Sequence, residues 1–288
     1  MLQVIKQIIA YLLIKLHFLR KDDKNEILSI FFHSPSKKLF DKILKWLFKN
    51  NYKIISLEEL NIIINQKLKI EKLAIITFDD GWKKNLELLD SIEQYKVPVA
   101  IFIPTEAIES GNYWFEYARL IGQHKYSGIK KIKEFKNLST PLLNNKIKVI
   151  KSNYELKRSC ITLDELKKIN ENKLITIGSH TITHPILKQC SIEMQEQELS
   201  QSKAILSKWL GREIEYFAFP NGDFDENTIR IAKSCNYKLC FTTKPGRINV
   251  DNIDPFRIPR YCIDDKGGYF ESVAKILGIW QKYFPKDN

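Results

Sequence analysis

A chain of 288 residues can bury a substantial core, and single α/β barrels of this size are routine. Hydrophobic residues at 44% and charged residues at 28% are an ordinary balance for a soluble globular protein. The net charge of +12 comes from lysines spread along the chain, and without any aromatic-and-arginine module it does not indicate a nucleic-acid partner.

Residues 2–19 are rich in Leu and Ile but carry Lys6 and Lys15 inside the apolar run. A cleavable signal peptide would show an uninterrupted apolar centre and a small-residue cleavage site, and a spanning helix needs roughly 20 apolar residues with few charges. The segment reads as an amphipathic helix with Arg20, Lys21 and Lys24 after it, together an N-terminal unit of residues 1–25. Such a helix either lies on a membrane surface or packs on the domain that follows, residues 26–288. The five cysteines (Cys160, Cys190, Cys235, Cys240, Cys262) are odd in number with no CxxC pair, which points to a reducing compartment. The expected location is cytoplasmic, peripheral at the inner face of the membrane if the helix binds there.

Glu26–Phe32 reads as a strand ending at His33. Phe40, Ile43, Leu44, Leu47 and Phe48 then form one apolar stripe at helical spacing. Tyr52–Ile55 is a short strand, and Ser56 with Glu59 is a capping-box signature. The apolar run Leu73–Ile76 stops abruptly at Asp79, Asp80 and Gly81, so two adjacent carboxylates fall at the carboxyl end of a buried strand. A helix over about residues 84–95 and a strand from Val97 to Ile103 follow. From about 104 to 160 the βα rhythm breaks down. This stretch reads as a partly helical insertion over one end of the barrel, and its aromatics Tyr113–Tyr117 either pack or stack on sugar rings. The rhythm resumes with Thr162 capping a helix through Glu165. Next comes the strand Leu174–Ile177, which ends in Gly178 and delivers His180 and His184. Ser191 opens a long helix that Gly211 ends. Tyr216–Phe219 is a strand before the turn Pro220-Asn221-Gly222. A helix after Asp225, a strand Leu239–Thr242, Arg257–Arg260 and a helix over Phe270–Phe284 close the chain. Alternating strands and helices without repeats argue for one parallel sheet.

Ligands collect at the carboxyl ends of such strands. Adjacent aspartates point in different directions, so one can hold a metal while the other faces a reacting group. Two His nitrogens and one carboxylate are a common catalytic zinc set. A pair of histidines four residues apart, together with an Asp-Asp pair, all at strand ends, is hard to explain as packing.

At these residues the chain resembles the polysaccharide deacetylases of carbohydrate esterase family 4. Thr77-Phe-Asp-Asp-Gly81 is similar to the family's first motif and Ser179-His-Thr-Ile-Thr-His184 to its second. Phe217-Ala-Phe-Pro-Asn-Gly222 is similar to the third, without the usual arginine. The resemblance runs from about Ile27 to Tyr261 and implies an irregular (β/α) barrel of about seven parallel strands. It implies Asp80, His180 and His184 as metal ligands and Asp79 as general base, although spacing alone allows the two aspartates to exchange roles. The metal would be divalent, zinc first, with cobalt and nickel as alternatives. Such an ion can lower the pKa of water from about 15.7 towards 7 and polarise a carbonyl.

A backbone N–H of the Pro220-Asn221 turn is the candidate oxyanion donor from the third motif. Ala218 stands where the family's arginine is expected. Arg260 is the candidate replacement, its competing reading being a surface ion pair. No histidine follows His184, and the permuted poly-N-acetylglucosamine deacetylase branch takes its general acid from a strand before the Asp-Asp motif, a position that His33 matches. His17 and His124 lack that context and read as surface residues. The implied substrate is an N-acetylated glycan or lipid-linked sugar. Hydrolysis of another carbohydrate amide such as N-formyl is the alternative, and an inactive carbohydrate-binding protein is a third reading.

Overall fold

The computed structural model describes residues 2–17, 25–122, 132–138 and 140–284. The chain begins with α1 (Leu2–His17), β1 (Glu26–Phe32), α2 (Lys37–Lys49), β2 (Lys53–Ile54), α3 (Leu57–Gln66) and β3 (Leu73–Phe78). A tight 3-10 segment, Lys83–Leu88, runs into α4 (Leu89–Tyr95), and β4 (Val99–Ile103) follows. The stretch expected as an insertion holds α5 (Thr105–Ser110), α6 (Trp114–Gly122), α7 (Ile132–Lys136) and α8 (Thr140–Asn153). Then come α9 (Leu163–Asn170), β5 (Ile175–Ser179), α10 (Ile192–Leu210), β6 (Tyr216–Ala218), α11 (Glu226–Ser234) and β7 (Leu239–Phe241). The chain closes with β8 (Ile248–Asn249), β9 (Tyr261–Cys262), α12 (Tyr269–Ile276) and α13 (Trp280–Tyr283).

Local chemistry sets the helix starts as the sequence suggests. Ser56 with Glu59 and Thr162 with Glu165 form complete capping boxes, and the Ser191 hydroxyl accepts from the Met194 N–H. Two expected helices are broken. The one at 84–95 starts as a 3-10 turn whose Lys83 N–H donates sideways to the Ser159 carbonyl and whose Asn85 side chain donates to the His33 carbonyl. The one at 270–284 is interrupted at Gly278, in the left-handed region at φ 68°.

The strands run in the order β7-β6-β5-β4-β3-β1, all parallel, with β2 on β3, β9 parallel to β1 and β8 antiparallel to β1. The ring closes through residues 258–263. The Ile258 N–H donates to the Cys240 carbonyl on one side, and the Ile263 N–H donates to the Phe31 carbonyl on the other, each at 2.9 Å. The result is an irregular (β/α) barrel.

The period of two along each strand decides which side chains enter the barrel. Leu28, Ile30, Ala74, Ile76, Ile175 and Ile177 pack outward against the helices, while Ile27, Ile75, Ala100, Phe102, Tyr216 and Phe241 fill the interior. Carried one step further, the same alternation turns Thr77, Asp79 and His180 inward. Gly178 is required there: a Cβ would lie 2.5 Å from the Phe102 ring and 2.9 Å from the Tyr216 carbonyl.

α1 packs on α12. Ala10 is buried against Ala274 and Trp280, and the Gln7 amide oxygen accepts from the Phe270 N–H at 2.9 Å. Its other face leaves Val4, Ile5, Ile8, Leu12 and Leu16 exposed, from 45% at Ile5 to 72% at Leu16. No described helix is long and apolar enough to cross a membrane.

Candidate active site

β3 delivers Asp79, whose N–H continues the ladder by donating to the Phe32 carbonyl. The chain then turns sharply, with Asp80 at φ 74° and Gly81 at φ 70°. At Gly81 a Cβ would come within 2.6 Å of the Ile103 side chain. The turn separates the two carboxylates. Asp79 is gripped from within the barrel by Arg260, whose Nη1 donates to Oδ1 at 2.7 Å and Nη2 to Oδ2 at 2.8 Å. Arg260 is fully buried. It also donates to the Thr77 hydroxyl and the Thr242 carbonyl, and its guanidinium carbon lies 4.3 Å from the Phe31 ring centre. Arg260 thus pairs with this buried carboxylate and not with a surface one. Its contact with the site runs through that carboxylate.

Asp80 turns the other way, towards the two histidines. His180 Nε2 and His184 Nε2 lie 3.5 and 3.3 Å from Asp80 Oδ1, and the three ligand atoms are within 4.8 Å of one another. Spacing left both aspartates eligible, and the fold groups Asp80 with the histidines. His180 Nδ1 is 2.7 Å from the Ala218 carbonyl, an acceptor, so that nitrogen carries the proton and Nε2 presents a lone pair. The Trp82 indole N–H holds Asp80 Oδ2 at 3.0 Å, while Oδ1 is buried and has no hydrogen-bond partner among the described residues. With His184 in the same neutral tautomer as His180, three lone pairs would converge on one point, an arrangement that repels itself unless a cation lies among them. The donor set therefore fits a metal ion.

Burial favours the neutral imidazole at His180. It pulls His180 down to about 4 despite the opposing Asp79 charge. Burial pushes both carboxyls up, yet each ends below its ordinary value, Asp79 through the Arg260 charge and Asp80 through the positive charge that its histidine neighbours carry when protonated.

The loop carrying the histidines is itself strained, with Thr181 at φ 70° and His184 at φ 56°. Side-chain hydrogen bonds help to hold it. The His184 N–H donates to the Thr181 hydroxyl at 3.1 Å. Buried Glu198 of α10 accepts from the Ile182 N–H at 2.7 Å, the Thr183 N–H at 3.0 Å and the Thr183 hydroxyl at 2.7 Å. Sequence reasoning missed Glu198. Its signal was a carboxylate on the same helical stripe as Leu199 and Ser202, facing the core.

Asn221 sits in the 3-10 turn Pro220–Gly222 at φ 56°. Its side-chain oxygen accepts from Lys136 Nζ of α7, and its side-chain nitrogen is buried without a hydrogen-bond partner among the described residues. His33 follows the last residue of β1, its ring edge-on to Phe31 and its N–H 3.4 Å from Asp265 Oδ1. Burial raises the Asp265 carboxyl above its ordinary value, against the His33 and Ser34 contacts. A cavity of about 850 Å³ brings the site together: His33, Asp79, Asp80, His180, His184 and Asn221 all line it. The aromatics Tyr113, Trp114, Phe115 and Tyr117 are buried, and of these Phe115 lines the cavity. His124 lies outside the described residues, as does the side chain of His17.

The polysaccharide deacetylase family model matches residues 67–240, more than half of the chain. YxkH of Bacillus subtilis (strain 168), which carries the name of a polysaccharide deacetylase, is 24% identical over 217 residues, 75% of this chain. The chain spans only 61% of that relative's length. The poly-beta-1,6-N-acetyl-D-glucosamine N-deacetylase of Staphylococcus aureus (strain N315) is 24% identical over 257 residues, 88% of this chain and 74% of its own length. Among solved structures, Streptococcus pyogenes deacetylase PplD in complex with acetate aligns with a TM-score of 0.64 at 20% identity, over 89% of this chain and 99% of its own. IcaB from Ammonifex degensii aligns at 0.61 and 16% identity, over 87% and 96%. At these identities the two structures speak for the fold alone.

Proposed function

Since this chain belongs to the polysaccharide deacetylase family, we propose that it hydrolyses the N-acetyl group of an amino sugar in a glycan or lipid-linked precursor, using a divalent metal. The observation that carries this reading is the grouping of Asp80, His180 and His184 beside the Arg260-held Asp79 in one cavity. Asp80, His180 and His184 would hold the ion; two imidazoles with one carboxylate are a common catalytic zinc set, so zinc is the first candidate, with cobalt and nickel as alternatives. When bound, the ion supplies Lewis acidity, making water a usable nucleophile near neutral pH and polarising the amide carbonyl.

The chain's own residues do the rest. Asp79, ionised and held by Arg260, takes the proton of the attacking water. The Asn221 backbone N–H, in a turn fixed by the Thr243 hydroxyl bond to the Asn221 carbonyl at 3.2 Å, donates to the developing oxyanion. His33 gives a proton to the departing amine. A substrate presented at a membrane surface fits the exposed apolar stripe of α1, whose sequence contains no acidic residue. The five free thiols support action in a reducing compartment, hence at the cytoplasmic face. Incubating zinc-loaded protein with N-acetylated oligosaccharides and lipid-linked sugars, while following acetate, tests the proposal. Acetate should appear from at least one, and its absence from the whole panel with an intact metal site argues for a different acyl group or an inactive binding protein.

A further inference from the structure

Two consecutive aromatic residues fasten the two halves of the metal site from outside it. The Tyr113 hydroxyl donates to the Asp80 carbonyl at 2.7 Å, and the Trp114 indole N–H donates to the His184 carbonyl at 2.8 Å. All four residues are buried. Both recipients are non-glycine residues at left-handed φ, 74° and 56°, conformations that persist only where the surroundings hold them. The contact continues through the side chains. Phe115 meets the His184 imidazole edge-on at 5.2 Å and stacks on Tyr113 at 4.9 Å. Tyr113 lies 4.6 Å from the Trp82 ring, whose N–H holds Asp80 Oδ2. One dipeptide of the insertion thus meets ligand-bearing segments that are separated in sequence by 33 residues on one side and 70 on the other.

We propose that Tyr113 and Trp114 are positioning residues of the metal site, a clamp that sets the spacing of Asp80 and His184 and couples ion binding to docking of the insertion. This rests on the metal site assigned above. The coupling follows from reciprocity: if docking of the dipeptide favours the ion, the ion favours docking by the same factor.

The test uses Tyr113→Phe and Trp114→Phe, which delete each donor and keep an aromatic ring. Zn2+ affinity is measured by calorimetry, and Co2+ binding by visible absorption and by the rise in melting temperature that the ion produces. Each variant should bind Zn2+ about 10–100-fold more weakly, the usual effect of removing a ligand's outer partner, with a changed Co2+ spectrum and a smaller ion-induced rise. Wild-type affinity and spectrum in both variants overturn the clamp, and so does a lower melting temperature with no change in affinity. If neither variant folds, the wild-type chain answers the same question. Ion binding should slow hydrogen exchange at the Trp114 indole N–H, and an unchanged rate overturns the clamp. A wild-type chain that binds neither ion refutes the metal site itself, a failure distinct from normal affinity in the variants.

Discussion

Arg260 and Asp79 form a two-pronged ion pair inside the barrel, with 2.7 and 2.8 Å contacts between partners 181 residues apart. Removing one member of such a buried pair leaves an uncompensated charge, at a cost of about 3–5 kcal/mol. Arg260→Met should therefore lower unfolding free energy by that order and depress kcat. Adding Asp79→Asn should return part of the stability but none of the activity. Denaturant melts of the single and double variants decide it, and two independent, additive losses would mean that the pair is not a unit.

Asp79 and Asp80 should separate cleanly on substitution. Asp79→Asn should keep about one divalent ion per chain and lose most activity, because only the proton acceptor is removed. Asp80→Asn should lose the ion, as should His184→Ala. Metal analysis of the purified variants is sufficient, and exchanged phenotypes would reverse the two roles.

His33→Ala should leave metal content intact and lower kcat by on the order of 10²–10⁴, the usual worth of one general acid. Near-normal turnover by a folded, metal-replete variant would leave His33 with packing alone.

Glu198 makes a pH-dependent contribution whose sign follows from its burial. Burial outweighs the bonds from Thr183 and Ile182 and holds the carboxyl above its ordinary value of 4.5. The folded chain therefore binds this proton more tightly than the unfolded chain. This contribution is fully present below the ordinary value and is lost as pH rises through the raised one. In Glu198→Gln the amide oxygen can accept both backbone N–H groups and the nitrogen can donate to Thr183, so the loop is kept but the titration is gone. Urea melts with chelator from about pH 4 to about pH 8 should show wild type losing stability relative to Glu198→Gln as pH rises. A difference independent of pH would refute this. Glu198→Ala, which strands the two N–H groups, should cost about 1–3 kcal/mol.

The exposed stripe of α1 should bind anionic vesicles, and salt should weaken that binding because lysines share in it. Ile8→Glu with Leu12→Glu, both at exposed positions, should abolish sedimentation with the vesicles without unfolding the chain. Removing residues 1–22 should do the same. Equal sedimentation of all three proteins would assign the helix to packing against α12.

What the sequence determined by itself is local in origin. The period of two that buries Ile75 and Ile177 also turns Asp79 and His180 inward, and the Ser56, Thr162 and Ser191 caps start helices by bonds spanning three residues. The carboxylates and histidines at strand ends were legible for the same reason, since strand direction alone sends them to one rim of a parallel barrel. Arg260 was legible only as a candidate, because its grip on Asp79 exists only once residues 258–263 close the ring between β7 and β1. The choice of Asp80 as partner of the histidines depends on the left-handed turn at Asp80 and Gly81, which two adjacent aspartates do not announce. Glu198 and the Tyr113-Trp114 pair hold backbone groups far away in sequence. Hydrogen bonds of that kind leave no periodic trace, so only the packed chain could reveal them.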